Sequence, residues 1–356
     1  MTKVKLILLI VLPLWLTLAS QTSYGRHAAI LVEADSGRVI YEADASHSWY
    51  PASLTKVITL YIAFTALNQR RIHLHDTITT SPHAARQPNS KLGLRTGETL
   101  TVQEAILAII TRSANDAAVA LAEHIGGNEE NFAIKMTATA HALGMYDSHF
   151  MNATGLPHQW QVTTPRDMAL LAWRVQRDFP NFYGYFATHS FYFRGSELRG
   201  INKFTANYPG AEGMKTGFTC GSGYNLMSSA YQNNKRLIGV VLGGSTSAER
   251  YQLMTHMMDD GFADKLTPSQ QKHITSIPAK MTSPAPYLLD CGNGATGHRT
   301  AHYNHPKTAK SHKLASKSKK TSRTKFTAKT KPRLASSKKL KAKPVIKHSK
   351  TRYRKG

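Results

Sequence analysis

Residues 50–69 read YPASLTKVITLYIAFTALNQ. After Pro51-Ala52-Ser53 the apolar side chains Val57, Ile58, Leu60, Tyr61, Phe64 and Leu67 recur at helical spacing, which predicts a helix from near Ser53 to near Gln69. The start of that helix carries chemistry. Lys56 lies over the same face as Ser53, within reach of its hydroxyl. A serine hydroxyl is a poor nucleophile at neutral pH and needs a nearby base. A lysine serves as that base only when burial or a second cation brings its pKa down from about 10.4 towards neutrality. The helix N-terminus adds free N–H groups and a positive dipole where negative charge develops. Taken alone, the Ser-x-x-Lys pattern decides nothing. It recurs at Ser269–Lys272, Ser316–Lys319, Ser322–Lys325 and Ser336–Lys339, and a lone match reads most simply as an exposed helix start.

Upstream of this helix, Ala28 to Val32 and Val39 to Glu42 flank Asp35-Ser36-Gly37 and predict a β-hairpin with glycine in its turn. Downstream, Val102 to Ile125 reads as one helix stopped by Gly126-Gly127, and Glu129 to Leu143 as another stopped by Gly144. Thr164 caps a further helix, with Pro165 in its first turn, that runs to about Asp178. From Tyr208 the pattern changes to short strands. Met214 to Cys220, Tyr224 to Ala230 and Leu237 to Leu242 form an antiparallel meander, and a helix from about Ala248 to Gly261 follows. Strands, then many helices, then strands and a last helix predict an α+β fold. In it the first hairpin joins the late strands in one antiparallel sheet flanked by helices, with a helical subdomain.

Two further clusters bear on Ser53. Ser113-Ala114-Asn115 falls inside the helix predicted for Val102 to Ile125. Small polar residues within an apolar helix need hydrogen-bond partners; at a pocket wall they would relay a proton and hold a substrate amide. For this cluster alone, helix–helix hydrogen bonding is the simpler reading. Lys215-Thr216-Gly217 falls on a predicted strand. A cation, a hydroxyl and a glycine that permits close backbone approach suit an extended peptide ending in a carboxylate. A solvated edge strand guarded by a lysine explains the same three residues when they are taken alone. Jointly the bland readings lose. S-x-x-K, S-D-N and K-T-G in this order are the signature set of class A β-lactamases and penicillin-binding proteins, and here Ala114 replaces the usual aspartate.

On these motifs, residues 27–265 resemble the low-molecular-mass penicillin-binding proteins, the serine D-alanyl-D-alanine carboxypeptidases. The blocks YPASLTKVITLY, SKLGLRTGETLTVQEAILAIITRSANDAAVALAE, NATGLP with the following TTPRDMALLA, and GMKTGFTCGSGYNLMSSA carry the same resemblance. It implies a DD-peptidase/β-lactamase-like fold and a catalytic domain over residues 26–266. It implies Ser53 as acyl-enzyme nucleophile, Lys56 as general base, and Ser113 and Asn115 as polar groups of the catalytic wall. Lys215, Thr216 and Thr219 would hold the substrate's terminal carboxylate beside Gly217, with Arg250 as an additional ligand. The oxyanion hole would use backbone N–H groups of Ser53 and Phe218. Peptidoglycan stem peptides are the implied substrates and β-lactam antibiotics the implied inhibitors, with no cofactor.

Some readings stay open. Family members often carry a C-terminal β-rich domain and a membrane-anchoring amphipathic helix, whereas here a linker-like stretch and a basic tail follow. Phe218 and Cys220 border the carboxylate site and leave substrate preference open. A D,D-endopeptidase cutting crosslinks would use the same residues. A β-lactamase is disfavoured, because no E-x-x-L-N motif lies between Asn115 and Lys215. No metal is called for either: H-E-x-x-H is absent, and His73-Leu74-His75 reads as loop histidine rather than a ligand pair.

Charge and targeting signals divide the chain. The formal net charge is +25, from 46 Lys+Arg against 21 Asp+Glu. Residues 301–356 hold 20 of those bases and no acid, which leaves +5 for the first 300 residues. That Lys/Ser/Thr/Ala-rich segment buries too little apolar surface to fold alone and is expected as a disordered tail behind a linker, residues 267–300. Such tails bind polyanions by counterion release. Tyr303, Phe326 and Tyr353 are too sparse for base stacking, so an anionic envelope surface or wall polymer, not nucleic acid, is the expected partner. A non-catalytic polyanion-binding protein is the competing class.

At the other end, Lys3 and Lys5 precede an apolar run from Leu6 to Ala19 that is too short to span a membrane. Residues 1–25 therefore read as a signal peptide cleaved after Gly25, with Ala19 or Ser20 as alternatives and an uncleaved anchor as the competing reading. Export to the periplasm or the outer face of the cytoplasmic membrane follows. Cys220 and Cys291 allow one disulfide at most, and their pairing stays open.

Overall fold

The expected hairpin forms from β1 (Ala28–Glu33) and β2 (Val39–Ala43), paired antiparallel. The structure is a computed structural model that describes residues 27–266 and 272–279. The expected signal peptide, most of the expected linker, Cys291 and the basic tail lie outside the described residues. Two short hairpins follow in the chain: β3 (Thr77–Thr79) with β4 (Thr99–Thr101), and β5 (Ser190–Phe193) with β6 (Ser196–Arg199). The predicted meander is β7 (Ala211–Thr219), β8 (Gly223–Gln232) and β9 (Lys235–Gly244). The main sheet has the order β2-β1-β9-β8-β7. β1 pairs antiparallel with β9, so the first hairpin does join the late strands, and β7 is an edge.

The central strands read as unbroken apolar runs because both faces are covered. Ile30, Val32, Val240 and Leu242 point into the larger core beneath the helices. Leu31, Leu237 and Val241 point into a second core with Met254 and Met258 of the last helix, Ser247–Phe262. We number the longer helices α1 (Lys56–Asn68), α2 (Val102–Arg112), α3 (Asn115–Gly126), α4 (Glu129–Ala142), α5 (Pro165–Asp178), α6 (Lys203–Asn207) and α7 (Ser247–Phe262). α1 is buried nearly all round, as expected of a helix at the centre of a domain. Thr164 caps α5 by accepting from Asp167 N, and Thr101 with Glu104 forms a capping box on α2.

Three departures from the sequence reading stand out. The helix expected over Val102 to Ile125 is two helices. Ser113 takes a left-handed conformation (φ 57°, ψ 32°), Ala114 is extended, and α3 restarts at Asn115. The stretch between α5 and β7, which carried no periodic signal, holds the β5–β6 hairpin and α6. Finally, residues 272–279, within the expected linker, dock on the first hairpin. Val39 N donates to Lys272 O and Ile274 N to Gly37 O, both at 2.8 Å, while Ile274 and Ile277 are buried. Two isoleucines suffice to return the chain to the core. No helix of the described residues is long and apolar enough to cross a membrane.

Candidate active site

Ser53 sits in a 3₁₀ turn, Ala52–Thr55, that leads directly into α1. Two close approaches hold the turn. A Cβ on Gly217 would lie 3.1 Å from Ser53 N, so glycine lets β7 come against the Ser53 backbone. Gly155 (φ 84°) packs on Ala52 so tightly that a Cβ there would overlap the Ala52 carbonyl. The sequence block NATGLP thereby closes on the Ser53 turn. Asn152 Oδ1 accepts from Thr154 N and Gly155 N and fixes the loop, which turns the Thr154 carbonyl inward.

Lys56 is fully buried, and its Nζ has three neighbours: Ser53 Oγ at 3.1 Å, Asn115 Oδ1 at 2.7 Å and Thr154 O at 2.6 Å. Burial, with Lys215 as a second cation, pushes its pKa well below the ordinary lysine value, while Asp116 and Glu129 pull the other way. A neutral amine has two N–H bonds and one lone pair. The Asn115 and Thr154 oxygens take the two N–H bonds, and the lone pair is left for the Ser53 hydroxyl.

Across the cleft, Lys215 is also buried, and its Nζ donates to Ser113 Oγ (2.9 Å) and Thr216 O (2.8 Å). Burial, with the Arg250 guanidinium, brings its pKa down to about 7. The helix break explains how Ser113 and Asn115 divide. One residue ends α2 and meets Lys215; the other begins α3 and meets Lys56. Asn115 is clamped further by Asn115 N to Ser90 O (2.7 Å) and Nδ2 to Pro88 O (2.9 Å).

The remaining expected residues are spread along β7 and behind it. Thr216 is buried beside Lys215, and Phe218 is half exposed, stacked on Tyr224 with ring centroids 4.2 Å apart. Thr219 Oγ1 donates to Ser222 Oγ and accepts from Ser222 N, so its hydroxyl is engaged in the β7–β8 turn. Arg250 is spent on protein groups. Its Nη1 donates to Gly217 O and Asn225 O, and its Nη2 to Ser247 Oγ and the Tyr251 hydroxyl. From there it braces β7 and acts on the cleft through its charge. Cys220, at the same turn, is disulfide-bonded; the chain's other cysteine lies outside the described residues.

Two contributors were missed in the sequence. Thr154 acts through its backbone carbonyl, which no side-chain motif announces. Asp116 is fully buried and accepts from the N–H groups of Leu92, Gly93 and Leu94, pinning the 88–94 segment over α3. Its signal was an acid in the first turn of what reads as an uninterrupted apolar helix. Among the described residues no group of acids, histidines or cysteines could hold a metal ion.

A serine and a buried lysine at a helix start thus face a second buried lysine on an edge strand, and the chain that carries them is similar to known proteins. The family model described as D-alanyl-D-alanine carboxypeptidase, peptidase S11, matches residues 17–246. The chain belongs to this family. Among its S11 relatives, D-alanyl-D-alanine carboxypeptidase DacF of Bacillus subtilis is 36% identical over 249 residues, covering 68% of this chain and 64% of the relative. DacC of Escherichia coli is 35% identical over 247 residues, covering 67% and 62%. The match thus spans a little under two thirds of these relatives' own length. Among solved structures, penicillin binding protein 5 of Haemophilus influenzae superposes with a TM-score of 0.65 at 33% identity, covering 69% of this chain and 73% of that one. Penicillin-binding protein D2 of Listeria monocytogenes, solved in an ampicillin-bound form, gives 0.61 at 28% identity, covering 66% and 96%.

Proposed function

We propose that this protein is a serine D,D-carboxypeptidase that removes the terminal D-alanine from peptidoglycan pentapeptide stems through an acyl-enzyme on Ser53. The observation that carries the reading is the Lys56 amine, buried, depressed in pKa and 3.1 Å from Ser53 Oγ. Membership of the S11 family supports the substrate class. Ser53 Oγ bonds to the carbonyl carbon of the penultimate D-alanine while its proton passes to Lys56 Nζ. The oxyanion is held by backbone N–H groups of Ser53 and Phe218. The tetrahedral species collapses, the C–N bond breaks, and the departing D-alanine amine takes up the proton. Water then attacks the ester, with Lys56 as base again, and frees Ser53.

Lys215, with Ser113 and Thr216, holds the terminal carboxylate in this scheme, as a charge-assisted pair. Arg250 sustains the β7 strand and the local positive potential. A β-lactam acylates the same hydroxyl, but its leaving group stays tethered. On this reading residues 26–266 with the docked 272–279 segment form the catalytic domain, of DD-peptidase/β-lactamase-like fold. Residues 1–25 direct export, and the basic tail holds the enzyme to an anionic envelope surface. The deciding experiment is labelling of the full chain with a fluorescent penicillin, wild type against Ser53→Ala, with D-alanine release from a pentapeptide measured in parallel. Loss of both signals is expected. Labelling that survives the substitution would remove Ser53 from the mechanism.

A further inference from the structure

The Lys56 amine meets two acceptor oxygens, on Asn115 and Thr154, and the segments that hold them converge on one acid outside the mechanism above. That acid is Glu129, in the first turn of α4 and only 8% exposed. Its Oε1 accepts from Ala153 N at 2.9 Å. The carbonyl of the same alanine accepts from Thr59 Oγ1 on α1, also at 2.9 Å. Ala153 is therefore fixed through its N–H by α4 and through its C=O by α1. The next residue, Thr154, then turns its own carbonyl to 2.6 Å from Lys56 Nζ.

The second oxygen of Glu129 reaches the other segment. Oε2 lies 2.6 Å from Nε2 of His83, whose short helix, Pro82–Ala85, runs on to Pro88 and Ser90. The carbonyls of those two residues clamp Asn115, by its Nδ2 and its backbone N. A carboxylate offers two acceptor oxygens, and here each braces one of the segments that face the amine. Glu129 also bears on Lys56 by charge. Lys215 favours the neutral amine, whereas Asp116 and Glu129 oppose it. Of the two acids, Asp116 is engaged by the backbone of residues 92–94, and Glu129 is the one that meets both the Thr154 loop and the His83 helix.

We infer that Glu129 is a positioning residue for acyl transfer, acting on Lys56 both by charge and by holding its two acceptor oxygens in place. The inference rests on the acyl-transfer reading above, to which it adds a group that touches neither Ser53 nor Lys56. The two actions separate by substitution. Glu129→Gln keeps an oxygen for Ala153 N and removes the charge. Glu129→Leu, of similar volume, removes the charge and both bonds. In this mechanism acylation needs Lys56 neutral, so its rate falls as pH drops through the pKa of that amine. A carboxylate that favours the charged amine places this acid limb at higher pH than bracing alone would.

The test follows acylation of the full-length chain by a fluorescent penicillin across the acid limb, with pentapeptide kcat and KM measured in parallel. In Glu129→Gln the acid limb should move to lower pH by about half a unit or more, because the amine loses an anion that favoured its charged form. In Glu129→Leu the limb should move the same way. Its plateau rate should also fall about tenfold or more as the Thr154 carbonyl is released, with KM changed by less than about twofold. An acid limb that stays in place in Glu129→Gln overturns the inference, since a purely structural brace gives that result. So does a Glu129→Leu variant that acylates at the wild-type plateau rate. Should Glu129→Leu fail to fold, the limb of Glu129→Gln decides. Wild-type enzyme that neither labels nor trims removes the acyl-transfer reading itself.

Discussion

Lys56 and Lys215 are the same side chain, equally buried, in opposite walls of one cleft, yet their surroundings prepare them for opposite tasks. Lys56 grows from the first turn of a helix and meets two oxygens that accept N–H bonds, plus one hydroxyl whose proton can be taken. Lys215 stands on an edge strand and meets a serine hydroxyl and a backbone carbonyl, with no base-requiring group beside it. The wall that carries Lys215 depresses the proton affinity of Lys56. Lys215 is among the causes that lower Lys56, and Arg250 behind β7 lowers Lys215 in turn. Arg250, Lys215 and Lys56 thus form a row of basic groups in which the two buried amines are both lowered. Two like charges at close range favour one proton between them. At Lys56, the group next to Ser53, burial and the Lys215 charge outweigh the pull of Asp116 and Glu129.

The comparison breaks most severely if the two lysines prove exchangeable. Lys56→Met, which preserves packing but removes the base, should slow acylation by a fluorescent penicillin by about a thousandfold or more, read from the labelling time course. Lys215→Met should have a smaller and more selective effect. Peptides ending in a free carboxylate should lose about tenfold to a hundredfold in kcat/KM, while C-terminally amidated analogues, already poor, should change little. If Lys215→Met abolished labelling as completely as Lys56→Met, the division of roles would be wrong.

The smallest effect is in the pH profile. The proposed mechanism needs Lys56 neutral, so kcat/KM should fall as pH drops through the pKa of Lys56. It needs Lys215 charged, so kcat/KM falls again as pH rises through about 7 in the free enzyme. The result is a bell whose limbs belong to the coupled pair. In Lys215→Met the alkaline limb should vanish. The acid limb should move to higher pH, because Lys56 loses the cation that depressed it. A profile that keeps both limbs in that variant would assign the alkaline limb elsewhere.

Local pattern was enough for the scaffold. The hairpin of β1 and β2, the meander of β7 to β9, and α1, α4, α5 and α7 all appear close to where periodicity, glycines and caps put them. The reason is that each element's apolar spacing reports only that one or two of its own faces meet a core. The stretch with β5, β6 and α6 was illegible because its elements are short and half exposed, so their spacing carries little signal. Ser113 shows the same limit within a strong element. α2 and α3 both bury apolar faces, and their combined run reads as one helix, whereas a single left-handed residue divides it.

For the site, the sequence by itself determined the residue types and their order: a serine with a lysine one turn on, a serine–asparagine pair, and a lysine–threonine–glycine on a strand. Tertiary structure decided what each can do. It set Ser113 and Asn115 on different lysines, turned the Thr154 carbonyl onto Lys56, buried Asp116 under the 88–94 segment, and committed Arg250 and Thr219 to bonds within the scaffold. A spacing along the chain says which side chains can share a face. The protonation of a buried amine depends on acceptors and charges brought from distant segments, and only the folded chain brings them together.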